Sequence, residues 1–264
     1  MIRFFLILLI TLIVGYISIV ILFYLKQKSL LYVTTTSILS NFPTFMIESS
    51  GESINIFVLN KESQEAIIYF GGNSESMGQS CDYFSRLFVT KRVYLMDYRG
   101  YGDSTGEPSE EGIYSDALAL YDKVKLNHTK VSIVGRSLGS GVATYVASQR
   151  EVSALVLITP FDSIVNVAQE LYPYIPISLL AKDRYNSKAR VKDIKAPTLI
   201  LIAQNDTLVT NKRTESLIEA FIPNQLTVET IEGRGHGDIV SDERYNKLIQ
   251  DFIGEINAKI WVGK

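Results

Sequence analysis

From residue 4 to residue 25 the chain carries no charge, and beyond that point apolar residues return only in short runs separated by polar, glycine-containing stretches. The first run has the roughly 20-residue length that a helix needs to cross a hydrocarbon core of about 30 Å. Arg3 precedes it, and Lys26 and Lys28 follow. It is long for the apolar core of a signal peptide, and no small-x-small cleavage site follows it. Residues 1–28 are therefore read as an uncleaved transmembrane anchor that makes a single-pass membrane protein. Arg3 and the terminal amine on one side balance the two lysines on the other, so these charges do not choose a membrane face.

The later runs have strand character. Residues 53–59 and 65–70 read as strands, and 92–97, 131–134, 154–158 and 198–203 are short and rich in Val, Ile and Leu, as suits strands buried on both faces. Between two of them, 110–125 has helical periodicity, with Ile113, Ala117, Leu120, Tyr121 and Val124 on one stripe, Ser109 placed to cap it, and Glu110 and Glu111 at its positive end. Strands alternating with helices predict an α/β fold: a mostly parallel, doubly wound sheet covered on both faces.

Composition narrows the class. At 47% hydrophobic and 20% charged, the 264 residues are more apolar than an average soluble domain, partly because of the first run. After a short tether around 27–40, the remainder (29–264) is long enough to bury one full core without disulfides or metals. A net charge of −2 argues against a nucleic-acid partner. Cys81 is the only cysteine, so no intramolecular disulfide forms; it is expected to pack in a helix away from every motif.

The chemistry is sought where strands end. The 131–134 strand runs into Gly135-Arg136-Ser137-Leu138-Gly139, a G-x-S-x-G followed by a small-residue helix. That setting is what a nucleophile elbow requires: the glycines relieve crowding at a strained turn that holds the serine hydroxyl over a helix N-terminus. A serine needs a base, and the base needs an orienting acid. Of the two histidines, His128 sits in a polar stretch and reads as a solvent-exposed loop residue, whereas His236 lies in Gly233-Arg234-Gly235-His236-Gly237 after a strand-like segment at 226–231. Asp206 follows the 198–203 strand and lies between serine and histidine in the chain; Asp162 and Asp238 are better read as loop or cap structure. The expected oxyanion donors are the backbone N–H groups of Leu138 and, in the Gly71-Gly72-Asn73 turn, of Asn73, with Gly72 as the neighbouring possibility.

These motifs, with Asp97-Tyr98-Arg99-Gly100-Tyr101-Gly102-Asp103-Ser104 and Gly106-Glu107-Pro108-Ser109, resemble those of single-pass membrane-anchored α/β-hydrolase-domain proteins of the serine hydrolase superfamily. The resemblance covers nearly everything from about residue 30 onward, and the order Ser, Asp, His is that of this superfamily. It implies an α/β-hydrolase fold with a small cap at about 161–195, whose aromatic and aliphatic residues are suited to pack on the sheet's helices and to line an acyl pocket. Arg99 and Asp103 read as scaffold that pins their loop. Where relatives often have His-Gly-Asn at the oxyanion turn, this chain has Gly71-Gly72-Asn73; the backbone donor is retained and the difference bears on substrate preference. The implied activity is a serine esterase, cleaving esters or thioesters through Ser137, His236 and Asp206 without a cofactor or metal. A membrane-associated amidase or peptidase, and a non-catalytic lipid- or protein-binding homologue, are the rival readings.

Overall fold

Eight segments rich in β-branched and aromatic residues pair into one sheet in the computed structural model, which describes residues 1–262. They are β1 (Thr44–Ser49), β2 (Glu52–Leu59), β3 (Glu65–Phe70), β4 (Arg92–Met96), β5 (Lys130–Arg136), β6 (Leu155–Ile158), β7 (Thr198–Ala203) and β8 (Leu226–Ile231), in the spatial order β1-β2-β4-β3-β5-β6-β7-β8. β2 runs antiparallel to both β1 and β4, and every other pair is parallel. After β3 the chain steps to one side to make β4, then returns to the other side for β5. Loops leaving β3 and β5 therefore diverge, and a crevice opens between them at the carboxyl ends of the strands.

The helices are α1 (Ile2–Leu31), α2 (Met77–Leu87), α3 (Glu110–Lys125), α4 (Leu138–Gln149), α5 (Ile164–Leu171), α6 (Ile177–Leu180), α7 (Ser187–Arg190), α8 (Asn211–Ile218) and α9 (Glu243–Val262). Side chains alternate across each strand, so the sheet feeds two apolar cores. On one face Ile68, Ile133 and Leu157 pack with Ile113, Leu120 and Val142 of α3 and α4. On the other, Ile67, Leu95 and Val134 pack with Cys81 and Phe84 of α2 and Tyr245 and Ile249 of α9. Ser109 caps α3 by accepting the Gly112 N–H at 3.2 Å, which satisfies one of the donors every helix start leaves free.

Two elements differ from the sequence expectation. The tether at 27–40 is partly helical, because α1 continues past Lys28 to Leu31, and a further strand, β1, follows it. β1 sits at the sheet edge with an irregular alternation of exposed and buried positions. α1 has no buried residue and is long and apolar enough to cross a membrane. Its end is nevertheless seated on the domain: Tyr32 is buried, with its hydroxyl 3.0 Å from that of Tyr185.

Candidate active site

The carboxyl ends of β3, β5, β7 and β8 share one edge of the sheet, and each supplies a loop to the same crevice. β5 ends in the glycine-serine turn. Ser137 sits there at φ 51°, ψ −118°, a left-handed conformation that costs a non-glycine residue about 1–3 kcal/mol and that the surrounding packing must hold. The flanking glycines are dictated by contact. A Cβ on Gly135 would lie 2.4 Å from the Gly139 carbonyl oxygen, and one on Gly139 would lie 2.0 Å from that of Phe70. The turn can pack this closely against α4 and β3 only without side chains at these two positions.

β8 leads into the loop carrying His236. Its Nε2 lies 2.8 Å from Ser137 Oγ, and its Nδ1 lies 2.7 Å from Asp206 Oδ2. An ionised carboxylate only accepts hydrogen bonds, so Nδ1 carries the ring proton and Nε2 is left to accept from the serine hydroxyl. Asp206 is itself oriented, since Oδ1 accepts the N–H groups of Leu208 and Val209 at 3.0 and 2.8 Å. The structure thus brings Ser137, His236 and Asp206 into one hydrogen-bonded chain.

The β3 turn faces the serine from the other side. Gly72 donates its N–H to Glu75 Oε2 at 2.9 Å, so of the two turn N–H groups expected as oxyanion donors this one is already engaged. Leu138, the first residue of α4, has an N–H in the helical turn where no intrahelical acceptor exists. Asn73 also uses its side chain: Oδ1 accepts from Val33 N–H and Tyr101 Oη at 2.9 and 2.8 Å, and Nδ2 donates to the Leu31 carbonyl at 2.6 Å. The turn is thereby fastened to the end of α1.

An alpha/beta hydrolase fold model matches residues 65–177. An uncharacterized protein of Mycobacterium tuberculosis is 37% identical over 151 residues, 55% of this chain and 53% of its own. The Danio rerio lysophosphatidylserine lipase ABHD12 is 35% identical over 174 residues, covering 56% of this chain and 45% of that protein. Among solved structures, the Pyrococcus furiosus esterase Pf2001 superposes with a TM-score of 0.68 at 16% identity, covering 84% of this chain and 99% of that one. The chain has the α/β-hydrolase fold. It spans about half the length of the curated relatives it matches.

Within this fold, two residues that join the parts of the site were not singled out from the sequence. Glu75 accepts from Gly72 N–H, from Tyr69 Oη at 2.9 Å and from Ser80 Oγ at 3.1 Å. Burial, reinforced by the Glu75 carboxylate, pushes the Tyr69 phenol well above its usual range, so it remains a donor. Arg136 pairs with Glu75 at 3.5 Å and donates to the carbonyls of His236 and Gly237 at 3.4 and 3.3 Å. One ionic link thus spans the β3 turn, the serine turn and the histidine loop. The sequence signals were a glutamate three residues after Gly72 and an arginine inside the elbow motif.

The rival acids Asp162 and Asp238 and the second histidine have structural partners in the fold. Asp162 is buried against Asn166 and Arg213, and Asp238 accepts the Gly235 N–H at 2.7 Å, shaping the loop around His236. Arg99 holds Asp116 of α3 through two bonds of 2.8 and 2.7 Å, while Asp103 is exposed. His128, expected on the surface, is instead buried: Nε2 meets Tyr94 Oη at 2.8 Å and Nδ1 meets the Ser63 carbonyl at 2.7 Å. Cys81 is buried in α2 with its thiol on the Met77 carbonyl, and burial pushes it up to about 11, away from thiolate reactivity.

A cavity of about 230 Å³ opens beside Ser137. Phe161, Val165 and Leu171 line it from the segment after β6, Leu180 from α6, and Phe23 and Leu30 from α1.

Proposed function

We propose that the protein is a serine hydrolase that cleaves carboxylic esters or thioesters through an acyl-enzyme, held at a membrane by α1. The observation that carries the reading is the pair of short contacts on His236, 2.8 Å to Ser137 Oγ and 2.7 Å to Asp206, at a serine held in a strained turn. In this mechanism His236 Nε2 takes the hydroxyl proton as Ser137 Oγ bonds to the carbonyl carbon, and Asp206 stabilises the imidazolium. The Asn73 and Leu138 N–H groups hold the oxyanion, a contribution of about 2.7–4 kcal/mol per donor. Collapse breaks the bond to the leaving oxygen or sulfur, which receives the proton from His236. Water then gives a proton to His236 and its oxygen to the acyl carbon; the acid leaves, and the proton returns to Ser137.

The relative named as a lysophosphatidylserine lipase and the neighbour named as an esterase support ester chemistry. The apolar cavity beside the serine favours an acyl group as the part that is bound. The test is labelling of the full chain in detergent with a short-chain fluorophosphonate, followed by p-nitrophenyl ester hydrolysis. Wild type labels and turns over; Ser137→Ala does not label, and His236→Ala labels only at a residual rate. Folded wild type that neither labels nor hydrolyses any ester rules the proposal out. Membrane anchoring is checked by alkaline carbonate extraction, in which the full chain stays with the membrane pellet.

A further inference from the structure

Among the described residues, α1 meets the rest of the molecule mainly along one stripe. Val20, Phe23, Gln27 and Leu31 are half-buried, at spacings of three, four and four that put them on one helical face, while the residues between them are exposed. This face is held by specific contacts to the segment between β6 and β7. The Phe23 ring packs edge-on against Tyr172 at 4.9 Å. Gln27 accepts the Lys182 N–H at 2.8 Å, the Lys182 ammonium sits 4.9 Å above the Tyr24 ring, and Tyr16 donates to the Tyr174 carbonyl at 2.9 Å. The cavity beside Ser137 lies within this joint, so Phe23 and Leu30 face the same space as the nucleophile.

Building on the hydrolase reading above, we propose that the last turns of α1 are one wall of the acyl-binding pocket, and that the pocket takes a single acyl chain entering from the bilayer between α1 and the cap. The uncharged stretch ends at Leu25, so Phe23 stands at the edge of the hydrocarbon core. Leu31 lies about 12 Å further along at ~1.5 Å per residue, beside the Asn73 turn. An acyl chain following this face reaches Ser137 while remaining against apolar surface. The volume sets the number of chains. At about 230 Å³ the pocket is smaller than the roughly 300–1,000 Å³ of sites that enclose drug-sized ligands, a size for one chain and not for two side by side. Gln27, the one amide side chain on this face of α1, already has its carbonyl oxygen bonded to the cap.

The test compares p-nitrophenyl esters from acetyl to dodecanoyl on the full chain in one detergent, with each variant expressed relative to wild type on the same ester so that partitioning into micelles cancels. Wild-type kcat/KM rises about fourfold per added methylene until the pocket is filled, the equivalent of about 0.8 kcal/mol for each buried CH2. Phe23→Ala lowers kcat/KM for decanoyl and dodecanoyl esters by about tenfold or more and leaves the acetyl ester within about twofold, since two or more methylenes lose their apolar partner. Ala168→Trp, which fills the pocket from α5, shifts the optimum to short chains. Leu25→Ala, on the exposed side of α1, matches wild type throughout. Fluorophosphonate labelling of each variant reports an assembled site independently of chain length. Equal profiles for Phe23→Ala and Leu25→Ala, with labelling intact, overturn the α1 wall and leave the hydrolase standing; a wild type that neither labels nor cleaves the acetyl ester overturns both.

Discussion

Replacing Asp206 by asparagine tests how the histidine is prepared for proton transfer. Oδ1 of Asp206 faces two donors, the N–H groups of Leu208 and Val209. An asparagine here must keep its oxygen on that side, because its NH2 group would otherwise oppose both. The NH2 then points at His236 Nδ1 and donates to it, so the ring proton moves to Nε2, which lies 2.8 Å from Ser137 Oγ. A nitrogen that already carries a proton cannot take the one from serine. Tautomer trapping of this kind lowers kcat by about 10⁴-fold, equivalent to about 5.4 kcal/mol at 1.36 kcal/mol per decade. The assay is steady-state hydrolysis of p-nitrophenyl butyrate in detergent, with thermal melting to verify the fold, which the isosteric change preserves. Asp238→Asn serves as comparison, since its amide oxygen keeps the bond from Gly235 and its activity stays close to wild type. If Asp206→Asn remains within about tenfold of wild type, or if Asp238→Asn is the variant that collapses, Asp206 does not orient the base.

Three further outcomes follow from groups around the site. Glu75→Ala removes the acceptor that shapes the Gly72–Asn73 turn, so kcat falls by up to the ~10²–10³ of one lost oxyanion donor with KM little changed, and Glu75→Gln, which retains an acceptor for Gly72 N–H, recovers part of the loss. Arg99→Met leaves Asp116, fully buried, without its counter-charge, at a cost of about 3–5 kcal/mol; melting falls by roughly 6–20 °C for a domain of this size, and Arg99→Met with Asp116→Leu together regains much of it. Asp97 is pushed up to about 6 by burial, against the opposing effect of its Asn55 hydrogen bond. Below about 4 it is protonated in both folded and unfolded chains, so it contributes no pH-dependent penalty; as pH rises from about 4 to about 6 the unfolded chain loses this proton first and stability falls, on the order of 2–3 kcal/mol. Asp97→Asn removes that decline in denaturation midpoints measured across the same range.

The parts of this fold that were readable in the sequence are those whose physics is local. β3, β7 and α3 have the expected bounds, because continuous apolar runs and a capped amphipathic stripe need no distant information. The elbow was readable because the steric demand at Gly135 and Gly139 leaves a visible motif. What escaped depends on partners far away in the chain. β1 is an edge strand whose irregular burial weakens the period-two signal, and its pairing with β2 defines it. His128 lies among Asn127, Thr129 and Lys130, and only Tyr94 and Ser63, brought in by other strands, make it a buried residue. Glu75 and Arg136 look like ordinary charged residues until the β3, β5 and β8 loops converge. The Asn73 side chain is another such case, since its partners at 31 and 33 lie some 40 positions earlier.

The grip of Asn73 on both sides of the α1 terminus, with Tyr32 sunk into the core beside it, changes what kind of attachment the helix is. A flexible leash would let the catalytic body tumble, and each encounter with a lipid would begin with an orientational search. On the anchoring proposed above, the fastened helix end fixes the attitude of the crevice toward the bilayer when the chain folds. The helix is consequently a poor candidate for exchange: a chimera carrying an unrelated span would keep the address but lose the alignment, unless residues 27–33 travelled with the domain.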